Sequence, residues 1–241
     1  MIKLRIKIIL SGKNIVLPIS YQYCLQGLFY NLITKKYDRF HDEGEMTDSK
    51  NMKPFSFSKI FCKRYEVKNK KIYFGDEIWI YFSSPNENLL EEFLDQLIEL
   101  SNIRIGNNFL TIKSIRRLKY TFSDYALIKT LSPILVYEKF QNENKTWKII
   151  KYNPKDLEFI EIIKYNINTK GKLLGLNTDS FNIVPQRINL SNKRVVKYKK
   201  ALFEAWEGTY KIYGNKEVLK LAFDWGLGLR NSQGFGMIET I

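Results

Sequence analysis

The sequence predicts an α+β protein made of two tandem ferredoxin-like (β-α-β-β-α-β) domains with antiparallel sheets. Three observations predict it. The 241 residues are 44% apolar and 15% aromatic, enough to build a core in one large domain or two small ones. Segments apolar at every second residue alternate with segments apolar at every third and fourth. The order of these segments runs through the same six-element pattern twice, although the two runs share no evident sequence identity.

The first run opens with residues 2–10, IKLRIKIIL, which alternate basic and aliphatic side chains in the period of a strand. After KNIVLP a helix should begin near Ser20 or Tyr21, with Leu25, Leu28, Phe29 and Leu32 forming its buried stripe. At about 100° per residue, Tyr23, Gln26 and Tyr30 fall opposite that stripe, so Tyr30 is expected outside the core. A polar segment, TKKYDRFHDEGEMTDSKNMK, leads to the β-rich runs PFSFSKIFC and KIYFGDEIWIYFSS. NENLLEEFLDQLIEL then reads as an amphipathic helix, apolar at Leu90, Phe93, Leu94, Leu97 and Ile98, with acidic residues in its first turn. FLTIKSIRRLKYTF closes the unit as a strand.

The second run takes LSPILVYEK as its first strand, and PKDLEFIEIIKYNINTKG as a helix opened by Pro and Asp. FNIVPQRINL and ALFEAWEGTYKIYG form a strand pair, KEVLKLAFDWG a helix with Val218, Leu221, Ala222 and Trp225 buried, and FGMIETI the last strand. The boundary is expected between about residues 118 and 130, giving domains 1–122 and 123–241.

Charge narrows the partner. Thirty-nine basic residues against 25 acidic ones leave a net charge of +14, and a pI near 9.5 favours a polyanion, nucleic acid first. Aromatic residues interleave with the basic ones in KRYEVKNKKIYF, RRLKYTF and KRVVKYKKALFEAW, and aromatic faces can stack on unpaired bases. Cys24 and Cys62 are too few for a disulfide scaffold, and with a single histidine they do not furnish the usual zinc site, so no metal or cofactor is expected. The N-terminus lacks the continuous apolar block of a signal peptide, and no run of about 18 uncharged apolar residues occurs. A cytoplasmic protein without a membrane partner is expected.

Near the C-terminus, residues 226–236 read GLGLRNSQGFG. They follow a helix and precede a strand, where one glycine would suffice as a cap. The spacing G-x-G-x5-G-x-G permits positive φ and close backbone approach, and Arg230, Asn231, Ser232 and Gln233 between the glycines supply donors for phosphate or base edges. The same spacing also suits a long turn whose glycines only relieve strain. It is not a dinucleotide fingerprint, which must follow a strand.

Three segments, the loop GLGLRNSQGFGMIE, the N-terminal LPISYQYCLQGLFYNLI, and KPFSFSKIF after a polar segment holding a histidine, resemble in order the CRISPR-associated precursor-crRNA-processing endoribonucleases of the Cas-six family (RAMP superfamily). The resemblance spans the whole chain. It implies two ferredoxin-like domains and metal-independent cleavage within CRISPR repeats. In that reaction a 2′-OH attacks the neighbouring phosphorus and leaves a 2′,3′-cyclic phosphate and a 5′-OH. Such a step needs a base, an acid and a cation for the charge that builds on phosphate.

On this resemblance His41, the only histidine, matches the family's catalytic histidine, and a side chain with an ordinary pKa of about 6.5 suits proton transfer near neutrality. Tyr30 in GLFYN matches its active-site tyrosine and Lys53 of KPF its lysine, with Lys50 a nearby substitute. Tyr30 would orient or partner the 2′-OH, His41 would move the proton, and Lys53 would stabilise the phosphorane. Which of Tyr30 and His41 is acid and which base stays open. The expected RNA-binding set is Gly226, Gly228, Arg230, Asn231, Ser232, Gln233, Gly234 and Gly236, with Lys193, Arg194 and Lys197 of a basic hairpin that also carries Lys199 and Lys200. Arg116, Arg117 and Lys119 could add to it. The expected partners are CRISPR repeat RNA and a CRISPR effector complex, for a monomer or homodimer. The alternative is a non-catalytic repeat-binding relative acting as a subunit or scaffold.

Overall fold

The computed structural model describes residues 4–34, 45–47, 50–199 and 201–241. The chain forms two compact units: Met1–Thr121 with Lys197–Ala201 and Ser232–Gly234, and Phe122–Val196 with Leu202–Asn231 and Phe235–Ile241. In chain order the first part holds β1 (Leu4–Ser11), β2 (Val16–Pro18), α1 (Gln22–Thr34), β3 (Glu45–Thr47), β4 (Lys50–Met52), β5 (Ser56–Phe57), β6 (Glu66–Lys68) and β7 (Lys71–Tyr73). It continues with β8 (Glu77–Ser83), α2 (Glu87–Glu99), β9 (Asn102–Ile105) and β10 (Asn108–Lys119). The second part holds β11 (Tyr125–Thr130), β12 (Tyr137–Gln141), β13 (Trp147–Lys151), α3 (Leu157–Leu173), β14 (Asn182–Gln186) and β15 (Lys193–Tyr198). After these come β16 (Ala201–Trp206), β17 (Thr209–Tyr213), α4 (Lys216–Trp225) and β18 (Ile238–Thr240).

The main sheets are antiparallel and have one order. In the first, β5-β8-β1-β10 continues to an edge strand β9; in the second the order is β14-β17-β11-β18. Each initial strand therefore lies between the third and fourth of its unit, which is the ferredoxin-like arrangement. Smaller ladders join β2-β7-β6, β3-β4, β12-β13 and β15-β16. Among the described residues no helix is long and apolar enough to cross a membrane.

Alternation in β1 buries Ile6, Ile8 and Leu10, and β8 adds Ile78, Ile80 and Phe82 in register, with Ile8 opposite Ile80. Onto this face α1 lays Leu25, Leu28, Phe29 and Leu32, the stripe its spacing predicts. Asn86 caps α2 by accepting from the Leu89 N–H at 3.0 Å. Phe82 is the aromatic hub: its ring lies 4.1 Å from Phe93 and 5.1 Å from Phe29, and Phe29 lies 4.7 Å from Phe57. The expectation that Ile98 is core is corrected, since it is 70% exposed. The buried stripe of α2 runs through Leu89, Leu90, Phe93, Leu94, Gln96 and Leu97, and Ile98 lies roughly 120° from its centre.

In the second unit the first strand is Tyr125–Thr130, which buries Ala126 and Ile128, and not LSPILVYEK. Leu131, Ile134, Leu135 and Val136 are buried outside the main sheet, where the Leu131 and Ser132 N–H groups both donate to the Met237 carbonyl. Pro133 has no N–H for a ladder, which ends strand character there. Only the second half of ALFEAWEGTYKIYG, β17, pairs with β14, through Ile183 and Ile212. The first half, β16, pairs with β15. In α4, Val218, Leu221, Ala222 and Trp225 are buried as their spacing predicts.

Candidate functional site

With its apolar stripe on the sheet, α1 turns Tyr23, Gln26, Tyr30 and Asn31 outward. Together with Asn102 and Arg104 of β9 they line an open groove of about 1130 Å³ in the first unit. Tyr30 is half-buried, and Phe55 meets its ring edge-on at 5.6 Å. Phe55 is itself buried against Phe82, and its N–H donates to the Lys53 carbonyl at 2.9 Å. The half-buried Lys53 thus stands two residues before the anchor that touches Tyr30. His41, and the expected positions of Lys200 in the basic turn, lie outside the described residues.

Asn31, Asn102 and Arg104 were not among the expected site residues. The alternation of NIRI carries the signal, because it buries Ile103 and Ile105 and leaves Asn102 and Arg104 on the other face. Arg104 donates from Nε to the Gly106 carbonyl at 2.8 Å and lies over the Phe109 ring at 5.5 Å. Cys24, also at the groove, is a free thiol whose pKa burial pushes up, so it is a poor nucleophile at neutral pH. Tyr23 is met by Tyr198 edge-on at 6.2 Å and by the Lys199 ammonium 5.2 Å from its ring centre.

The glycine loop begins where α4 ends, at Gly226 with φ 83°. Its legs touch through the Leu227 N–H, which donates to the Gly236 carbonyl at 2.8 Å. A Cβ on Gly236 would lie 1.8 Å from the Leu227 oxygen, and one on Gly234 would lie 2.6 Å from the Phe57 ring, so glycine is required at both. Gly226, Gly228, Gly234 and Gly236 are all buried. So is Asn231, whose side-chain amide donates to the Leu227 and Phe235 carbonyls at 3.1 Å each. Its oxygen accepts from Lys170 at 2.8 Å. Asn231 and the glycines therefore shape the loop, while Arg230, Ser232 and Gln233 are the half-buried members that reach solvent. Arg230 donates from Nε to the Tyr137 hydroxyl at 2.9 Å and lies 4.8 Å from the Phe203 ring centre.

On the basic hairpin, Lys193 pairs with Glu204, which also takes Lys151 at 2.6 Å. Hydrogen bonds from Lys151 and Lys193 hold the Glu204 carboxyl below its ordinary range. Arg194 pairs with Glu207 at 2.9 Å and donates to the Ser191 and Lys193 carbonyls. Lys197 and Lys199 are exposed. At the end of β10, Arg117 makes a two-pronged contact with Glu91 at 3.1 and 2.6 Å, whereas Arg116 and Lys119 are exposed.

Residues 116–240 match the family described as CRISPR associated protein Cas6, C-terminal, and residues 16–116 the family described as CRISPR-associated protein Cas6, N-terminal. The chain is 25% identical over 242 residues to the CRISPR-associated endoribonuclease Cas6 1 of Methanocaldococcus jannaschii, covering 99% of this chain and 93% of that protein. It is 25% identical over 230 residues to the CRISPR-associated endoribonuclease Cas6 of Pyrococcus furiosus, covering 92% of this chain and 83% of that one. A solved structure described as an RAMP protein binding different RNA substrates superposes with a TM-score of 0.82 at 17% identity, covering 99% of each chain, a likeness of fold.

Proposed function

The chain belongs to the Cas6 family of CRISPR-associated proteins, and from that membership we propose that it is a metal-independent endoribonuclease cutting precursor CRISPR RNA within its repeats. The observation that carries the reading is Tyr30, held on the wall of an open groove by the aromatic anchor that follows Lys53. The relatives named endoribonuclease match this chain over nearly its whole length, groove included.

The 2′-oxygen bonds to phosphorus as its proton leaves to a base, and the bond from phosphorus to the 5′-oxygen breaks as that oxygen gains a proton from an acid. Tyr30 orients or partners the 2′-OH, His41 is the main proton-transfer residue, and Lys53 faces the charge that develops on the phosphorane. Arg230, Ser232, Gln233, Lys197 and Lys199 hold the RNA, with the buried loop residues fixing Arg230, Ser232 and Gln233 in place. The protein acts in the cytoplasm, as a monomer or homodimer, and passes its product to a CRISPR effector complex.

The test incubates wild type and His41→Ala with labelled CRISPR repeat RNAs in EDTA, beside matched RNAs lacking the 2′-OH at the mapped cut. Wild type should cut only the RNA with its 2′-OH, and His41→Ala should cut about 100-fold or more slowly while binding as well. Binding without cutting by wild type would instead identify a non-catalytic repeat-binding relative. A requirement for magnesium would overturn the proposed chemistry.

A further inference from the structure

The hairpin of β12 and β13 has no part in the function so far. All of β13 is exposed, and on one of its faces Trp147 stands 68% and Ile149 50% open to solvent. Exposed apolar residues grouped this way mark an interaction surface. The tip is closed by its own hydrogen bonds: the Asn142 N–H donates to the Thr146 carbonyl at 3.0 Å, and Asn142 Oδ1 accepts from the Thr146 N–H and hydroxyl at 2.8 and 2.7 Å. Gln141 Nε2 adds a bond to the Lys145 carbonyl at 2.9 Å.

The register shows what this hairpin presents. Tyr137 lies opposite Lys151, Lys139 opposite Ile149, and Gln141 opposite Trp147, so these six share a face. At its base Tyr137 accepts the hydrogen bond from Arg230 and stacks on Phe203 with ring centres 6.2 Å apart. One strip therefore runs from Arg230 of the glycine loop, through Tyr137, to Trp147 at the tip, a rise of about 13 Å along β12. Residues 137–151 carry four lysines, of which Lys151 is paired with Glu204, against two glutamates, and Glu138 accepts from the Tyr152 hydroxyl at 2.6 Å.

The exposed Trp147 ring with Lys139 on the same face suits a strand of unpaired bases, whose faces stack while their phosphates meet the lysine. We propose that the β12–β13 hairpin binds an unpaired segment of the substrate RNA, with a base stacked on Trp147. This rests on the reading of the chain as an enzyme that binds CRISPR RNA.

The experiment titrates a labelled CRISPR repeat RNA carrying six uridines at each end against wild type, Trp147→Ala, Trp147→Leu and Trp147→Tyr in EDTA, with a thermal melt of each protein. Alanine and leucine should weaken binding about tenfold, within the range for one lost stack, while tyrosine keeps affinity within about threefold of wild type. Lys139→Glu, on the same face as Trp147, should lower affinity and flatten its salt dependence. Equal affinity in every variant, with wild type still binding, overturns the hairpin's role and leaves the proposed function standing. Leucine as good as tryptophan means that no base stacks on the ring and also overturns it. Wild type that binds none of these RNAs shows that the proposed function itself has failed.

Discussion

Lys170 donates from its terminal nitrogen to the side-chain oxygen of Asn231 at 2.8 Å, and both residues are buried. A second bond runs from the same nitrogen to the Gly226 carbonyl at 2.7 Å, and the Trp225 ring centre lies 5.9 Å away. Because Asn231 also bonds Leu227 and Phe235, one residue of α3 and one of the loop together hold both legs of the glycine loop. Burial pushes the Lys170 pKa well below its ordinary value.

Asn231→Leu should therefore destabilise the fold by about 2–4 kcal/mol, since it leaves two carbonyls and the lysine short of partners in a buried setting. Urea unfolding measures this. Arg230→Ala should stay within about 1 kcal/mol of wild type in the same assay yet bind repeat RNA more weakly.

Lys170 also sets a pH dependence. Its folded pKa lies below the unfolded value of about 10.4, so between the two the unfolded chain holds a proton that the folded chain does not. The penalty is complete below the folded pKa, shrinks as pH rises, and is gone above the unfolded value. Wild type should gain stability relative to Lys170→Met as pH is raised from 7 to 10. Urea melts of both proteins across that range check it, and parallel curves would show that Lys170 is not the titrating group.

Two glycines should respond in opposite ways to alanine. Gly236→Ala places a Cβ against the Leu227 oxygen at φ 72° and should cost several kcal/mol. Gly27, inside α1, has nothing among the described residues within 4 Å of an added Cβ, so Gly27→Ala should raise stability by about 0.5–1 kcal/mol. Thermal melts of the two variants separate them by the sign of the shift.

Tyr30→Phe keeps the ring against Phe55 and removes only the hydroxyl. Single-turnover cleavage of repeat RNA should fall about 10- to 100-fold, the loss of one hydrogen bond to a charged centre, while a thermal melt shows the variant still folded. Cleavage at the wild-type rate would take the phenol out of the reaction.

The placement of Tyr30 was legible because helical period alone puts it opposite Leu25 and Leu28. LSPILVYEK misled because a buried apolar run looks like a strand whether or not its N–H groups enter a sheet. The β12–β13 hairpin left no mark because Phe140, Ile149 and Ile150 face solvent, where no buried face imposes a pattern. In the glycine loop, residue types showed where donors could be but not which of them face outward. That depends on Lys170, 61 positions before Asn231, a contact that no local pattern encodes.

Phe29 of α1 and Phe55 and Phe57 after residue 53 all join one aromatic cluster around Phe82. Phe29 and Phe55 thus fix the chain to one place from two points in the sequence. Doubling the length of a loop between fixed ends adds only about 0.6 kcal/mol of closure entropy. Insertions or deletions in the sequence between these two anchors should accordingly cost little stability, so descendants of this sequence can lengthen, shorten or rewrite it without rebuilding the sheet beneath the anchors.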